Sequence, residues 1–454
     1  MLARPSILSN VAGKRNRSGK REGKGWGEHE PLSRGLSPHY GPSVFAPFRV
    51  RSFRIQWPSD LLTSCAFEME TLILGWYVLV ETGSVLLLSL FGALLFIGTL
   101  VAPMFGVVGD RIGHRNLLCA MRALYTVLAA TLMAIAWANA LTPLIVFIIA
   151  GLMGLVRSSD LGVRGALVAH IVPADQLMGA MGISRTTSDA ARVMGALTGA
   201  GLFAEFGIAA AYVVVTGCYA VSLLLVLAMG SGERPQPAAA AEAGAPRASH
   251  WRDLREGLSF VWSTPPLLAG IWLAVLVNAT AFPFSGALLP YVAREVYGID
   301  QTGLGYIAAS FAGGALLGSV AVSVRRAMQP ARVMIVSAFV WYACLLVFAQ
   351  MEGLPGGALT LALAGFAQSF CMITLAVVLL RLAGERFRGR IMGVRMMAIY
   401  GMPVGLLSAG VLIDAIGFGA TATLYASLGL ASILLLATYW RAELWHAHTP
   451  ANAR

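Results

Sequence analysis

Two glutamates, Glu68 and Glu70, interrupt an otherwise apolar stretch and are the side chains best suited to chemistry. An ionised carboxylate halfway along a membrane helix costs at least about 2.5 kcal/mol, so such a group is expected to take up and release a proton. Residues two positions apart lie about 200° apart around a helix, so both carboxylates cannot face one cavity. We expect one to line a central path and the other to make an internal polar contact. Ion pairs for both, with Arg122 or Arg157, are the alternative.

Five further polar side chains also lie in apolar stretches. Arg157 precedes Asp160 by three residues, and Asp160 precedes Arg164 by four, so the three share one helix face. A local network on that helix explains them as well as contact with a solute does. Asn278 and Gln368 are candidates for the solute path, and hydrogen bonds between helices explain them equally well.

The sequence excludes several classes of enzyme and pump. It contains no His-Glu-x-x-His string, no paired metal-ligand spacing and no serine nucleophile motif. The five cysteines lie in apolar segments without paired spacing and are predicted to be buried thiols. No lysine follows Lys24, so the folded part cannot contain a phosphate-binding Gly-Lys-Ser/Thr loop. We expect no catalytic residues, no cofactor, no metal site and no ATP-driven pumping by this chain alone.

The composition indicates that membrane helices position these residues. Of 454 residues, 57% are hydrophobic and 12% charged, which is more apolar surface than one soluble core can hide. A spanning helix needs about 20 apolar residues, and runs of that length must be helical in lipid. We therefore predict an all-α integral membrane protein with twelve transmembrane helices in two six-helix pseudo-repeats. The predicted spans are about residues 60–80, 84–108, 117–137, 141–160, 180–203, 208–229, 266–290, 303–324, 332–350, 357–382, 391–413 and 418–440.

The net charge of +11 is distributed as in a membrane protein rather than a nucleic-acid-binding one. Eleven basic and three acidic residues precede residue 55. The loops on one side carry Arg111, Arg115, Arg185 and the arginines within 234–255, 325–332 and 386–395. The opposite loops carry only Arg294. This positive-inside bias predicts that both termini are cytoplasmic.

The chain is predicted to divide into two halves joined by a linker. Weak matches between the halves, such as Gly106 with Gly318 and Gly201 with Gly410, fall at offsets of 209 to 212 residues. Residues 251–262 have apolar positions at helical spacing and predict an interfacial helix. The predicted domains are a disordered basic tail (1–52), an N-terminal six-helix bundle (53–230), a cytoplasmic linker (231–265), a C-terminal six-helix bundle (266–440) and a C-terminal tail (441–454).

The most specific string is GVVGDRIGHRN, residues 106–116, between the second and third spans. Gly106 permits close helix contact, and Asp110 can lie against the N-terminus of a neighbouring helix, where N–H groups favour an anion. The string resembles the signature of the major facilitator superfamily, Gly-x-x-x-Asp-Arg-x-Gly-x-Arg-Lys/Arg. It departs only at the last position, where Asn116 replaces a basic residue.

This resemblance implies a gate between the cytoplasmic ends of the two halves. In that superfamily the aspartate contacts helix eleven, so Asp110 would lock the halves while the protein faces outward. Arg111 would pair with an acid on helix four, for which Asp160 is the candidate. A turn that only anchors loop orientation is the alternative. The expected gate residues are Gly106, Asp110, Arg111, Gly113, Arg115 and Asp160.

Within the superfamily, residues 50–440 are similar to the enterobactin-exporter and macrolide-efflux branch of drug:proton antiporters. The similarity around the first span is carried by Phe53, Arg54, Trp57, the two glutamates and the string WYVLVETGS at 76–84. The string RGRIMG at 388–393 is similar to the segment before helix eleven in that branch. In the fifth span, RVMGALTGAG at 192–201 resembles a glycine-rich antiporter motif but lacks its proline. Its glycines are Gly195, Gly199 and Gly201.

The resemblance implies a secondary active transporter that works by alternating access. It favours proton-coupled export of a small amphipathic solute, such as a siderophore or a drug, across a bacterial inner membrane. Proton-coupled import of a siderophore or metabolite is an alternative, and a transport-dead sensor or scaffold is another. The expected partners are the solute, protons and the lipid bilayer, without nucleic acid, and the expected state is a monomer.

Overall fold

The computed structural model describes residues 45–173, 176–229, 250–324 and 329–439. Regular structure within these ranges is entirely helical. The N-terminal helices are α1 (Arg51–Thr82), α2 (Val85–Leu94), α3 (Ala102–Ile112), α4 (His114–Trp137), α5 (Pro143–Ile171) and α6 (Leu177–Ala228). The C-terminal helices are α7 (His250–Ser263), α8 (Pro265–Thr280), α9 (Phe282–Ser285), α10 (Leu289–Tyr291), α11 (Gln301–Val324), α12 (Pro330–Phe348), α13 (Leu354–Met397), α14 (Gly401–Ile416) and α15 (Phe418–Tyr439).

Two of these helices contain a break at a glycine. Gly207 (φ 77°, ψ 178°) interrupts α6, and Gly384 (φ 60°, ψ 175°) interrupts α13. These conformations are open to glycine and strained for residues with a Cβ atom. Each of the two long helices therefore consists of two segments.

Length and composition indicate a multi-pass membrane protein. In the described ranges, eight helical segments are long and apolar enough to cross a membrane. They are His114–Trp137, Pro143–Ile171, Gly179–Ala228, Gln301–Val322, Pro330–Phe348, Leu354–Gly384, Arg390–Ile416 and Phe418–Tyr439. Many large aliphatic side chains on these helices are exposed, as expected of surfaces that face lipid.

The helix bounds revise the predicted spans at three places. Helix α1 begins at Arg51 rather than near residue 60, so Asp60 lies well inside it. The span predicted at 84–108 is divided among α2, a 3-10 turn at Ile97–Leu100 and α3. The span predicted at 266–290 is broken after α8, because the prolines of α9 and α10 cannot donate the backbone hydrogen bonds that would continue it. The predicted interfacial segment forms α7, and the tails lie largely outside the described residues.

Close packing between α1 and α6 depends on two glycines of the fifth-span motif. A Cβ atom at Gly195 would lie 2.6 Å from the Cys65 carbonyl oxygen, and one at Gly199 would lie 2.8 Å from Met69 Cα. Gly201 has no atom within 4 Å of its would-be Cβ. Two of the three predicted glycines thus let the helices touch, and the third does not.

Several contacts between the N-terminal and C-terminal helices lie towards the end where α1 stops and α2 starts. Arg294 Nη1 donates to the Leu79 carbonyl at 2.9 Å. A Cβ at Gly410 on α14 would lie 2.6 Å from Ser89 Oγ on α2. A Cβ at Gly305 on α11 would meet α6 in the same way. This end of the molecule is closed by helix packing.

Candidate functional site

A cavity of about 390 Å³ lies between α1, α5 and the first segment of α6. This volume lies within the range of about 300–1,000 Å³ that is typical of small-molecule sites. Its wall includes the aromatic rings of Phe53, Trp57 and Phe67. Its charged lining residues are Asp60, Glu68, Arg157, Asp160, Arg164, Arg185, Asp189 and Arg192.

One wall of the cavity is a buried ion-pair cluster formed by Asp60, Arg122, Asp160 and Arg164. Arg122 of α4 is fully buried, and its Nη1 lies 2.6 Å from Asp160 Oδ1 while its Nη2 lies 3.2 Å from Asp60 Oδ1. Arg164 Nε lies 3.4 Å from Asp60 Oδ1 and also pairs with Asp160 Oδ2. Two carboxylates and two guanidinium groups thus neutralise one another and connect α1, α4 and α5.

The cluster confirms one expected pair and corrects another. Asp160 and Arg164 pair along α5, as their four-residue spacing predicts. The predicted pairing of Arg111 with Asp160 is wrong in this conformation, because both carboxylate oxygens are engaged by Arg122 and Arg164, and Arg111 is exposed. Arg122 sits on the face of α4 that is turned towards α5, whereas Arg111 lies at the solvent end of α3.

Glu68 is the glutamate that faces the cavity. Its side chain is 28% exposed, and its Oε1 lies 3.8 Å from Arg192 Nε on α6. The guanidinium of Arg192 in turn lies 5.8 Å from the ring centroid of Phe311 on α11. This ion pair therefore lies where α6 of the N-terminal part packs against α11 of the C-terminal part.

Glu70 points the other way and is buried. Its two carboxylate oxygens accept hydrogen bonds from the hydroxyls of Tyr212 and Tyr219, each at 3.1 Å. Glu68 thus faces the cavity and Glu70 makes an internal polar contact; that Glu68 lines a central solute path stays a prediction. The alternative of an ion pair for both is met only for Glu68, whose partner is Arg192 rather than Arg122 or Arg157; Glu70 forms no ion pair among the described residues.

Arg157 lines the cavity beside Glu68 but has different contacts. Its Nη1 donates to Thr71 Oγ1 at 2.9 Å, and its guanidinium lies 4.8 Å from the Phe67 ring centroid. Asn278 and Gln368, which were also candidates for the solute path, do not line this cavity. Asn278 Nδ2 donates to the carbonyl of Ala274 within α8, and Gln368 is buried on α13.

The proposed gate is only partly described. Gly113 (φ 87°) separates α3 from α4, and Arg115 Nη2 donates to the Leu227 carbonyl at the end of α6. Gly106 and Asp110 lie on α3, but their surroundings fall outside the described residues. The contact of Asp110 with helix eleven stays a prediction.

Sequence reasoning missed the role of Asp60 and misassigned Arg122. The predicted first span begins at about residue 60, so Asp60 would lie at its edge, where a charged residue is ordinary. The available signal was Gln56, four residues earlier on the same helix face, whose Nε2 donates to Asp60 Oδ2 at 3.3 Å. The sequence suggests Arg122 only as a partner for the glutamates, whereas it pairs with Asp60 and Asp160.

Comparison with known proteins places the chain in a transporter family. A sequence model described as "Major Facilitator Superfamily" matches residues 60–402. The multidrug efflux pump Tap of Mycolicibacterium fortuitum is 29% identical over 182 residues, which are 40% of this chain and 43% of that protein. The pump Tap of Mycobacterium tuberculosis H37Rv is 25% identical over 382 residues, 80% of this chain and 87% of that protein. Among solved structures, the E. coli fucose:proton symporter FucP is 17% identical with a TM-score of 0.57, covering 85% of this chain and 98% of its own; at this identity the likeness concerns the fold alone.

Proposed function

Since this chain belongs to the Major Facilitator Superfamily, a family of membrane transporters rather than enzymes, we propose that it is a proton-coupled exporter of a small amphipathic solute. The observation that carries this proposal is Glu68, an ionisable group in helix α1 that faces a cavity of about 390 Å³. The likeness to two proteins described as multidrug efflux pumps supports export and favours drug-like compounds. A siderophore remains a second class of cargo.

We propose twelve spans in two six-helix bundles, residues 53–230 and 266–440. In the N-terminal bundle, α1, α4 and α5 provide one span each, and α2 and α3 together provide one. The two segments of α6 provide the other two. In the C-terminal bundle, one span consists of α8, α9 and α10. The helices α11, α12 and α15 provide one span each, and the first segment of α13 provides another. The second segment of α13 continues into α14 and forms the sixth. An even number of crossings agrees with the positive-inside bias, which predicts that both termini are cytoplasmic.

With that orientation, we propose that the conformation is an inward-facing state. The helix packing at Leu79, Ser89 and Gly305 closes the external end. The cavity is lined by Phe53 at the start of α1 and Val168 at the end of α5, both at the cytoplasmic end. Solute would enter here from the cytoplasm, and rocking of the two bundles would carry it to the other side.

Glu68 is placed to link protonation to this motion. While Glu68 is ionised it attracts Arg192, whose guanidinium also lies over the ring of Phe311 in the other bundle. Protonation of Glu68 removes that attraction, so that the Arg192 side chain can change its contact with Phe311 when α6 and α11 shift against each other. A proton that enters from outside can thereby change the packing between the bundles and be exchanged for solute.

The proposal is tested by solute transport in vesicles that contain the purified protein. A panel of one cation, one neutral drug and one anion, namely tetraphenylphosphonium, chloramphenicol and dansylglycine, is offered with an imposed pH gradient of either sign. We expect at least one compound to move against the proton flux, dependent on the gradient. Movement together with protons would indicate import, and binding without any movement would favour a sensor.

The gate and the topology have tests of their own. Asp110→Asn is expected to reduce transport and to alter labelling of cysteines introduced at the cytoplasmic ends. Full transport with unchanged labelling would remove the gate from the proposal. Reporter fusions at Pro237 and Gly353 are expected on opposite sides of the membrane, and finding both on one side would refute the twelve-span count.

A further inference from the structure

Arg157 differs from every other arginine of the cavity in lacking an acidic partner. Among the described residues, no carboxylate lies within 4.0 Å of its guanidinium nitrogens, whose contacts are the Thr71 hydroxyl and the Phe67 ring. The remaining arginines of the cavity wall are paired: Arg164 in the buried cluster, Arg185 with Asp189 at 3.2 Å and Arg192 with Glu68 at 3.8 Å.

Glu70 is close enough to attract Arg157 electrostatically, but it leaves the guanidinium without a direct acidic contact. Both oxygens of Glu70 are occupied by tyrosine hydroxyls, and no ion pair joins it to Arg157. An arginine at the centre of a membrane helix costs about 2.5–3.5 kcal/mol on insertion scales and is normally paired or functional. Arg157 is half-buried and lines a cavity of about 390 Å³, a size typical of small-molecule sites, so its partner can be a solute that enters the cavity.

We propose, on the basis of the transport function above, that the solute carries a carboxylate or a similar planar anion that pairs with Arg157. A guanidinium has five N–H donors, and Thr71 uses one, which leaves a fork suited to two carboxylate oxygens. The apolar part of the solute would lie against Trp57 and Phe53 on the same wall. A further cation, Arg395 of α13, lies within electrostatic range of Arg185 and adds positive charge from the opposite bundle.

Binding at equilibrium tests this proposal without relying on transport. The full-length protein in lipid nanodiscs is titrated with dansylglycine, its methyl ester and the amine dansylethylenediamine, and dansyl fluorescence is recorded. We expect the carboxylate to bind at least about tenfold more tightly than either analogue, as charge-assisted hydrogen bonds in a partly buried site allow. Arg157→Gln should reduce carboxylate affinity to that of the ester and leave ester affinity unchanged.

Two further variants keep the result interpretable. Arg255→Gln removes the same charge from α7, away from the cavity, and should leave all three affinities unchanged. Arg157→Lys keeps the charge but loses the fork, and should give an intermediate carboxylate affinity. If Arg157→Gln does not fold, the proposal is tested by the carboxylate affinity of Arg157→Lys and by the preference of the wild type for the carboxylate over the ester and the amine.

The proposal is overturned if the wild type binds the amine or the ester as tightly as the carboxylate. It is equally overturned if Arg157→Gln or Arg157→Lys binds the carboxylate with wild-type affinity. A clear carboxylate preference in a protein that transports nothing would count against the exporter function and support the anion site. Gradient-driven transport of tetraphenylphosphonium by a protein that shows no preference for the carboxylate would support the exporter function and overturn the anion site.

Discussion

Replacing Asp160 with asparagine should strongly destabilise the N-terminal helices. Asp160 is 1% exposed and contacts both arginines of the buried ion-pair cluster, so the substitution removes one of only two negative charges there. Arg122 and Arg164 would then share Asp60 alone, and the cluster would carry an unbalanced positive charge that is largely buried.

The geometry sets the size of the effect. Breaking a buried ion pair by removing one partner costs about 3–5 kcal/mol, because the remaining charge is left uncompensated. Asp60 is 15% exposed, and its ion-pair distances of 3.2 and 3.4 Å exceed the 2.6 Å between Arg122 and Asp160. Asp60→Asn should therefore cost less, about 2 kcal/mol. The double variant Asp160→Asn with Arg164→Gln restores neutrality and should recover at least about 1 kcal/mol relative to Asp160→Asn.

The free energy of unfolding can be measured by titrating the purified protein with SDS in mixed micelles and following helical circular dichroism. The four proteins, namely wild type, the two single variants and the double variant, are compared under one set of conditions. The reasoning is refuted if Asp160→Asn stays within about 1 kcal/mol of the wild type, or if Asp60→Asn proves the more destabilising.

Four further substitutions follow from individual contacts and can be checked in the same unfolding assay. Gly199→Ala should cost about 1–3 kcal/mol of stability, because its Cβ would lie 2.8 Å from Met69 Cα. Gly201→Ala should be neutral or slightly stabilising, because no atom lies within 4 Å of the added Cβ. Equal losses for the two variants would contradict this reasoning. Tyr125→Phe should leave stability unchanged or raise it by up to about 1 kcal/mol, since the fully buried hydroxyl has no hydrogen-bond partner among the described residues, and a clear loss would refute that assignment. Glu70→Gln should cost about 1–3 kcal/mol of stability, because the amide has only one oxygen and its NH2 group cannot accept the second tyrosine hydrogen bond. An unchanged stability would show that these hydrogen bonds contribute little.

Features that depend on one helix could be predicted from the sequence. The order of the apolar helices follows from hydrophobic run length, because lipid requires each run to satisfy its own backbone hydrogen bonds. The opposite directions of Glu68 and Glu70 follow from the rotation of about 100° per residue. The pairing of Asp160 with Arg164 follows from their spacing of four residues.

Features that depend on neighbouring helices could not be predicted in this way. The meeting of Asp60 with Arg122 requires the relative rotation of α1 and α4, which side-chain packing determines and the pattern within either helix does not contain. Gly201 resembles Gly195 and Gly199 in sequence, yet only the latter two face α1. The start of α1 was also missed, because its first turns are polar and carry no apolar run.

The most direct test of proton-coupled export is solute accumulation in inverted membrane vesicles with an acidic interior. The measured compound is whichever member of the three-compound panel the wild type transports. Wild-type vesicles should accumulate it, and nigericin should abolish accumulation by collapsing the pH gradient. Glu68→Gln should still bind the compound at equilibrium but should not accumulate it. If vesicles that carry both Glu68→Gln and Glu70→Gln accumulate the compound with normal dependence on the pH gradient, coupling through α1 is contradicted.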